Sequence, residues 1–330
     1  MFGTKSGLRK FVAIISVTTT LAILAPTAAV AAPPYQSTVS WLNGKFVSGK
    51  YLPGFTAGSK DIGMSIEALL QLSAGGYDLG KLTTKARYLL NTKSVVGDVS
   101  TRNGYVFNTD ATKTVHPAAA GKYLFVAQAL EVPTESLKYQ VFLELKKQIR
   151  TDGTVVGALS DFDYAWVALG LNAYLEHTLA NKVIQKLISR QNTDGGFTSY
   201  GEASSIDGTG LALQALSLRR WFGTSAEDKK RSVAIGKALS YLRKNDTTDN
   251  HFEYTDGSGF DLNGTAYAAM GLKAAGKLEE AKEYRIWLRS KLVATGGFKT
   301  PWSGGAADLM ATSQAYVPLI AKSYLDLLTD

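Results

Sequence analysis

Cysteine is absent from the 330-residue chain. That excludes disulfide bracing, thiolate metal sites and a lipid anchor joined through cysteine. Histidine is scarce as well: His116, His177 and His251 are the whole complement and lie far apart in sequence, so no metal site is expected. No stretch carries the Asp-x-Asp-x-Asp-Gly spacing of a calcium loop, the Gly-x-Ser-x-Gly of a hydrolase elbow, or a phosphate-cradling glycine loop. The formal net charge is +8, but the cations are dispersed in short groups such as Lys146-Lys147, Lys229-Lys230-Arg231 and Arg243-Lys244. A nucleic-acid footprint would gather them into a stripe, so no nucleic-acid partner is expected.

Only one apolar run is long enough to draw attention, and it lies at the start. Lys5, Arg9 and Lys10 precede an apolar stretch from Phe11 to Leu24, and Ala29-Val30-Ala31 follows. This order is that of a secretory signal, with cleavage expected after Ala31. Residues 1–31 are assigned to that signal and residues 32–330 to one domain. A secreted, extracellular protein without a membrane span in its mature chain is expected. Its residual positive charge permits loose attraction to an anionic envelope.

What the chain does contain is a repeat. An acid or serine is followed four positions later by a small residue and seven positions later by alanine. The matches are Asp61–Ser65–Ala68, Asp161–Ala165–Ala168, Ser205–Thr209–Ala212, Asp261–Thr265–Ala268 and Asp308–Thr312–Ala315. Successive starts lie 100, 44, 56 and 47 residues apart. The wide first gap has room for a degenerate unit at His116-Pro117-Ala118-Ala119-Ala120, giving six units. A turn such as Asp152-Gly153 or Asp194-Gly195-Gly196-Phe197 precedes each start.

Two kinds of helix alternate around these turns. Ala180 to Arg190 and Ala234 to Lys244 are amphipathic, whereas Thr209 to Leu218 and Thr265 to Ala275 are apolar nearly all round. A helix apolar on every side is buried on every side, and a half-charged one keeps water on one face. Six alternations predict an all-α, six-unit α/α toroid, with an inner ring of buried helices inside an outer ring. Asp61, Asp161, Ser205, Asp261 and Asp308 fall where N-caps belong. The small residues four and seven places on are expected to let inner helices approach closely.

Gln191-Asn192-Thr193-Asp194-Gly195-Gly196-Phe197 resembles the Gln-x-x-Asp-Gly-x-aromatic motif of squalene-cyclase and prenyltransferase repeats, and Ile206 to Leu216 is similar to their inner helix. The resemblance implies the α/α toroid and leaves activity open, since the superfamily includes terpene cyclases, protein prenyltransferases, cobalamin carriers and thioester domains. Prenyltransferase zinc and thioester chemistry both need the cysteine this chain lacks. By similarity to the Asp-x-Asp-Asp of type II terpene cyclases, Asp161-Phe162-Asp163-Tyr164 would place the proton donor at Asp163. Tyr164, however, replaces the last acid. Similarity to cobalamin carriers implies a corrinoid as the one cofactor-like ligand, although no β domain follows the repeat.

If all inner helices start at one end, Asp61, Asp161, Asp163, Asp207, Asp261 and Asp308 ring a single mouth, where the helix N-termini add partial positive charge. Tyr164, Trp166 and Tyr267, with Tyr123, Phe125 and Tyr316, are the aromatic residues expected near that ring, as pocket lining or as core. Glu67 stands as the lone glutamate of the inner helices. The leading expectation is non-catalytic binding of a small molecule or glycan at the mouth of a monomeric toroid. A terpene-cyclase-like enzyme using Asp163, a glycan-cleaving enzyme using rim acids, and a cell-envelope protein-interaction module remain as alternatives.

Overall fold

The computed structural model describes residues 35–77, 79–91, 104–107, 114–218 and 223–328. The expected signal lies outside them. The described residues form twelve α-helices. Six are apolar: α2 (Ile62–Ala74), α4 (Pro117–Ala129), α6 (Asp161–Ala173), α8 (Ile206–Leu216), α10 (Leu262–Ala274) and α12 (Leu309–Leu319). Their partners are α1 (Gln36–Gly44), α3 (Leu79–Asn91), α5 (Glu135–Lys147), α7 (His177–Ser189), α9 (Ser225–Asn245) and α11 (Leu278–Ser290). Burial separates the two sets as their composition requires. In α4 every residue from Ala119 to Ala127 is buried, whereas α11 buries only Tyr284, Trp287 and Leu288.

Each apolar helix packs on the next, α2 on α4 through to α10 on α12, and α12 returns to pack on α2. The inner ring is closed. The degenerate unit at His116 is a full member of it, opened by Pro117 at the first helical position, where a missing N–H costs nothing. The outer ring closes through α1, which packs on α12 although it is the first of the described helices. Turn glycines mark the seams. Gly153, Gly195 and Gly296 all have φ between 84° and 105°, and a Cβ on them would strike the backbone of α7, α9 and α1 respectively. Only glycine meets both demands. Strands are confined to two short antiparallel hairpins, β1 (Leu52–Pro53) with β2 (Lys60–Asp61) and β3 (Phe252–Glu253) with β4 (Phe260–Asp261). Each leads into an inner helix.

The repeated hydroxyl has a different role from the one expected. Ser65, Thr209, Thr265 and Thr312 each donate to the carbonyl of their own cap residue. Each also accepts a backbone N–H from the buried turn residue ahead of the helix. Leu52 N–H reaches Ser65 at 2.8 Å, and Phe197, Phe252 and Phe298 reach their threonines at 2.9–3.1 Å. The hydroxyl thus locks turn to helix. In the α6 unit the register is shifted by one. The cap is Ser160, which accepts from Asp163 N–H, and Asp161 is the first helical residue. Tyr164 then occupies the hydroxyl position and accepts Val155 N–H at 3.2 Å. The expected match Asp161–Ala165–Ala168 is corrected to Ser160–Tyr164–Val167.

Close helix approach comes instead from glycine pairs. A Cβ on Gly121 or Gly170 would collide across the α4–α6 contact, and one on Gly210 or Gly271 across the α8–α10 contact. Thr265→Val leaves the buried Phe252 N–H unpaired and lowers stability by about 1–3 kcal/mol in denaturant unfolding. Ser232→Ala, on the exposed face of α9, shifts the same measurement by less than about 0.5 kcal/mol.

Candidate functional site

The inner helices all begin at one end of the ring, and their caps are engaged. Asp61, Asp261 and Asp308 each accept an N–H from the third residue on at 2.8 Å, and Ser205 accepts Gly208 N–H at 3.1 Å. The shared mouth is visible in the electrostatics. Tyr105 is pushed above the usual phenol range, first by burial. The carboxylates of Glu67, Asp61 and Asp163 add to the shift, against the opposing charge of Lys122. Its hydroxyl stands over Gly63, where a Cβ would lie 3.1 Å away. On the far side Tyr254 is raised by burial and by Asp261, with Asp207 and Asp308 contributing. One tyrosine therefore feels the cap ends of α2 and α6, and the other those of α8, α10 and α12.

The residues expected to bind a ligand divide into two groups. Asp61, Asp163, Asp207, Asp261 and Asp308 remain at the half-buried mouth. Asp161, Tyr164, Trp166 and Tyr267 are buried and committed to internal partners. Asp161 takes Arg190 at 2.6 Å and both the N–H and the hydroxyl of Thr198, which ties the α6 unit to the α8 unit. The carboxylate of Asp163 accepts Leu159 N–H at 2.7 Å, so it supports the turn ahead of its own helix. Asp261 is raised by burial, opposed by the N–H of Gly264 and reinforced by the charge of Asp207. Asp207 thus lies within electrostatic reach of Asp261. Gln191 of the repeat motif is structural: its amide donates to Gly195 O and to Ala234 O of α9.

Below the mouth, the axis of the ring holds a polar hub. Glu67 of α2 accepts Lys122 Nζ of α4 at 2.7 Å, the Tyr324 hydroxyl at 2.7 Å, the Tyr267 hydroxyl of α10, and Gln314 Nε2 of α12 at 3.4 Å. Burial alone would raise its pKa. The charge of Lys122 and the donated hydrogen bonds overcome that, and Glu67 lies below the usual carboxylate range. Burial likewise opposes charge on Lys122, yet the carboxylate of Glu67 carries it above the usual lysine range. Tyr324 belongs to a short 3-10 turn (Tyr324–Leu327) that enters the ring from the end opposite the mouth. Its ring meets Phe125 of α4, Trp166 of α6 and Tyr267 of α10, and its N–H donates to Gln214 of α8 at 2.9 Å. Five inner helices therefore converge on one buried tyrosine. Phe162, resting on Tyr267, and the Asn263–Gln314 hydrogen bond cover this hub on the mouth side. From the sequence, Glu67 stood out only as an isolated glutamate. Lys122, an equally isolated cation in an apolar helix, was the missed signal.

Around the mouth the loops carry exposed apolar side chains. Phe55 is 86% exposed on the β1–β2 hairpin, Leu159 86% ahead of α6, Tyr200 93% ahead of α8 and Trp302 58% ahead of α12. Tyr254 on the β3–β4 hairpin packs against Trp302 with ring centroids 5.2 Å apart. Between the first hairpin and Tyr105 runs an open groove of about 650 Å³, with Phe55 at its lip and Lys60, Asp61 and Gly63 along it. No group of metal-ligating side chains gathers among the described residues.

No known family profile matches the chain, and no curated protein sequence is similar to it. Solved structures show the class of fold, an α/α toroid. A variant of the type II terpene cyclase MstE from Scytonema, in complex with geranylgeranyl dihydroxybenzoate, superposes with a TM-score of 0.64 at 13% identity. The match covers 89% of this chain and 97% of that one. A possible GH105-family member from Salmonella enterica serovar Paratyphi A gives 0.59 at 11% identity, over 95% and 99% of the two chains. A wild-type glycosidase gives 0.58 at 13%, over 89% and 96%. At these identities the likeness concerns the fold alone.

Glu67→Gln strands a buried lysine and costs about 3–5 kcal/mol in chemical denaturation, and Lys122→Met in that background restores most of the loss. Because Glu67 lies below its ordinary value of 4.5 in the folded chain, its contribution is present above pH 4.5. It is lost as pH falls through the lowered value. The parent therefore weakens in acid more steeply than the double variant, which thermal unfolding between pH 3 and 7 measures.

Proposed function

We propose that this toroid recognises a glycan-type polymer laid across its mouth. One observation carries the reading: the exposed aromatic and aliphatic side chains of separate loops crown one end of a ring whose axis is filled. Exposed apolar side chains gathered at one end, with Tyr254 packed on Trp302, support a binding surface there. An aromatic ring offers a flat apolar face with a polar edge, which suits the C–H face of a sugar. The half-buried carboxylates of Asp61, Asp163 and Asp207 offer acceptors for its hydroxyls. A polyprene would instead need an apolar space between the inner helices, where Glu67, Lys122 and Tyr324 now meet. Asp163 would also have to give up its turn to act as a proton donor. The cyclase-like reading is therefore the weaker one for this chain.

Cleavage of the bound glycan is a second reading, favoured by the Asp207–Asp261 pair and by the presence of glycosidases among proteins of the same fold. Hydrolysis needs one carboxyl that is protonated and one that is not. Burial raises Asp261, which suits it to the acid role, and Asp207 beside it is the second carboxyl of the pair.

Affinity electrophoresis against a panel of soluble polysaccharides, with a corrinoid as a further candidate ligand, tests both readings. The expected outcome is retardation by at least one polysaccharide, weakened at least about tenfold, or 1.4 kcal/mol, in Trp302→Ala and Tyr200→Ala at unchanged melting temperature. Retardation that survives both substitutions, or binding of the corrinoid alone, contradicts the glycan reading. Release of reducing ends that stops in both Asp207→Asn and Asp261→Asn establishes cleavage; binding without release leaves recognition as the function.

A further inference from the structure

A second concave surface lies at the opposite end of the ring, away from the mouth. There α11 begins beside the C-terminal ends of α10 and α12, enclosing a cleft of about 180 Å³. Leu278, Ala281, Lys282 and Arg285 are spaced i, i+3, i+4 and i+7 on α11 and so share one stripe facing it. Ala269 of α10 and Pro318 of α12 complete an apolar floor, and Leu278 stays 54% exposed at the edge.

The charged residues that line the cleft are all cations. Lys273 closes the last turn of α10, Lys322 follows α12, and Lys282 and Arg285 project from α11. Lys282 pairs with Glu279 at 3.2 Å, an exposed contact of small worth. No ion pair engages Lys273, Arg285 or Lys322 among the described residues. Four cations around an apolar floor complement a molecule with an anionic head and a hydrocarbon tail. Size narrows the class. The volume is comparable to the roughly 150 Å³ apolar cavity that admits one benzene, so it takes a short alkyl segment and not a steroid or a double-chain lipid tail.

We infer that this cleft binds a single-chain anionic amphiphile, its alkyl segment against Ala281 and Pro318 and its anionic head among Lys273, Lys282, Arg285 and Lys322. The mouth is left free, so the two sites are occupied independently. A protein held through this cleft by an anionic amphiphile of its surroundings would turn its mouth outward.

Isothermal titration with octyl phosphate decides it, with inorganic phosphate and octanol as the head-only and tail-only controls. Octyl phosphate gives saturable 1:1 binding, and each control binds at least about tenfold more weakly, a difference of 1.4 kcal/mol. Lys273→Glu with Lys322→Glu weakens it by at least the same factor. Ala281→Trp, which fills the cleft, abolishes it with circular dichroism unchanged. Equal binding of inorganic phosphate would show an adventitious anion site, and equal binding of octanol would show that the cations contribute nothing. Either result, the absence of any binding, or variants that bind as the parent does would overturn the assignment.

Discussion

The carboxylate of Glu67 is the constraint on which the rest of the ring depends. A toroid of six helices brings many side chains to one axis, and an axis lined only by aliphatic residues would need a large apolar plug or would stand open. Here two hydroxyls, an ammonium and an amide converge on a single carboxylate from α4, α10, α12 and the C-terminal turn. Left unpaired, that buried charge would cost several kcal/mol. Paired on all sides, it favours the one arrangement in which α2, α4, α10, α12 and Tyr324 are all in place. Closure of the ring and docking of the C-terminal turn are consequently coupled.

A filled axis favours the proposed location of function at the surface. Proteins of the same fold include a terpene cyclase and glycosidases, and the fold by itself does not choose between their chemistries. The choice for this chain rests on its own residues. An ion pair and a tyrosine occupy the depth of the ring, Asp163 holds a turn, and the apolar side chains that a binding surface requires stand on the loops around the mouth.

Much of the architecture was legible in the sequence because it follows from periodicity. Helices apolar all round alternate with half-charged ones, and Asp61, Ser205, Asp261 and Asp308 are caps where the pattern put them. The α6 unit was misread by one residue. Asp161 mimics a cap in sequence, yet Ser160 does the capping, and Tyr164 reaches the turn with a longer side chain than serine or threonine. That equivalence of a phenol and a threonine hydroxyl depends on reach, which a spacing rule does not encode. Asp161, Tyr164, Trp166 and Tyr267 looked like mouth residues because helix position alone does not say how deep the axis is filled. The hub was hidden for the same reason: Tyr324 lies beyond the last repeat, and its partners are drawn from five helices up to 257 positions away. The crown of Phe55, Tyr200 and Trp302 has no signature in the sequence, because loop residues lack the periodicity that marks buried helix faces.

Reactivity of Lys122 toward a water-soluble amine-acylating reagent, followed by peptide mass spectrometry of the folded protein, tests the filled axis most directly. The account predicts that Lys122 stays unmodified after exposed lysines such as Lys229 and Lys237 have reacted to completion, and that it becomes reactive only on unfolding. Acylation of Lys122 in the native protein at the rate of those surface lysines would show an open axis and contradict the account.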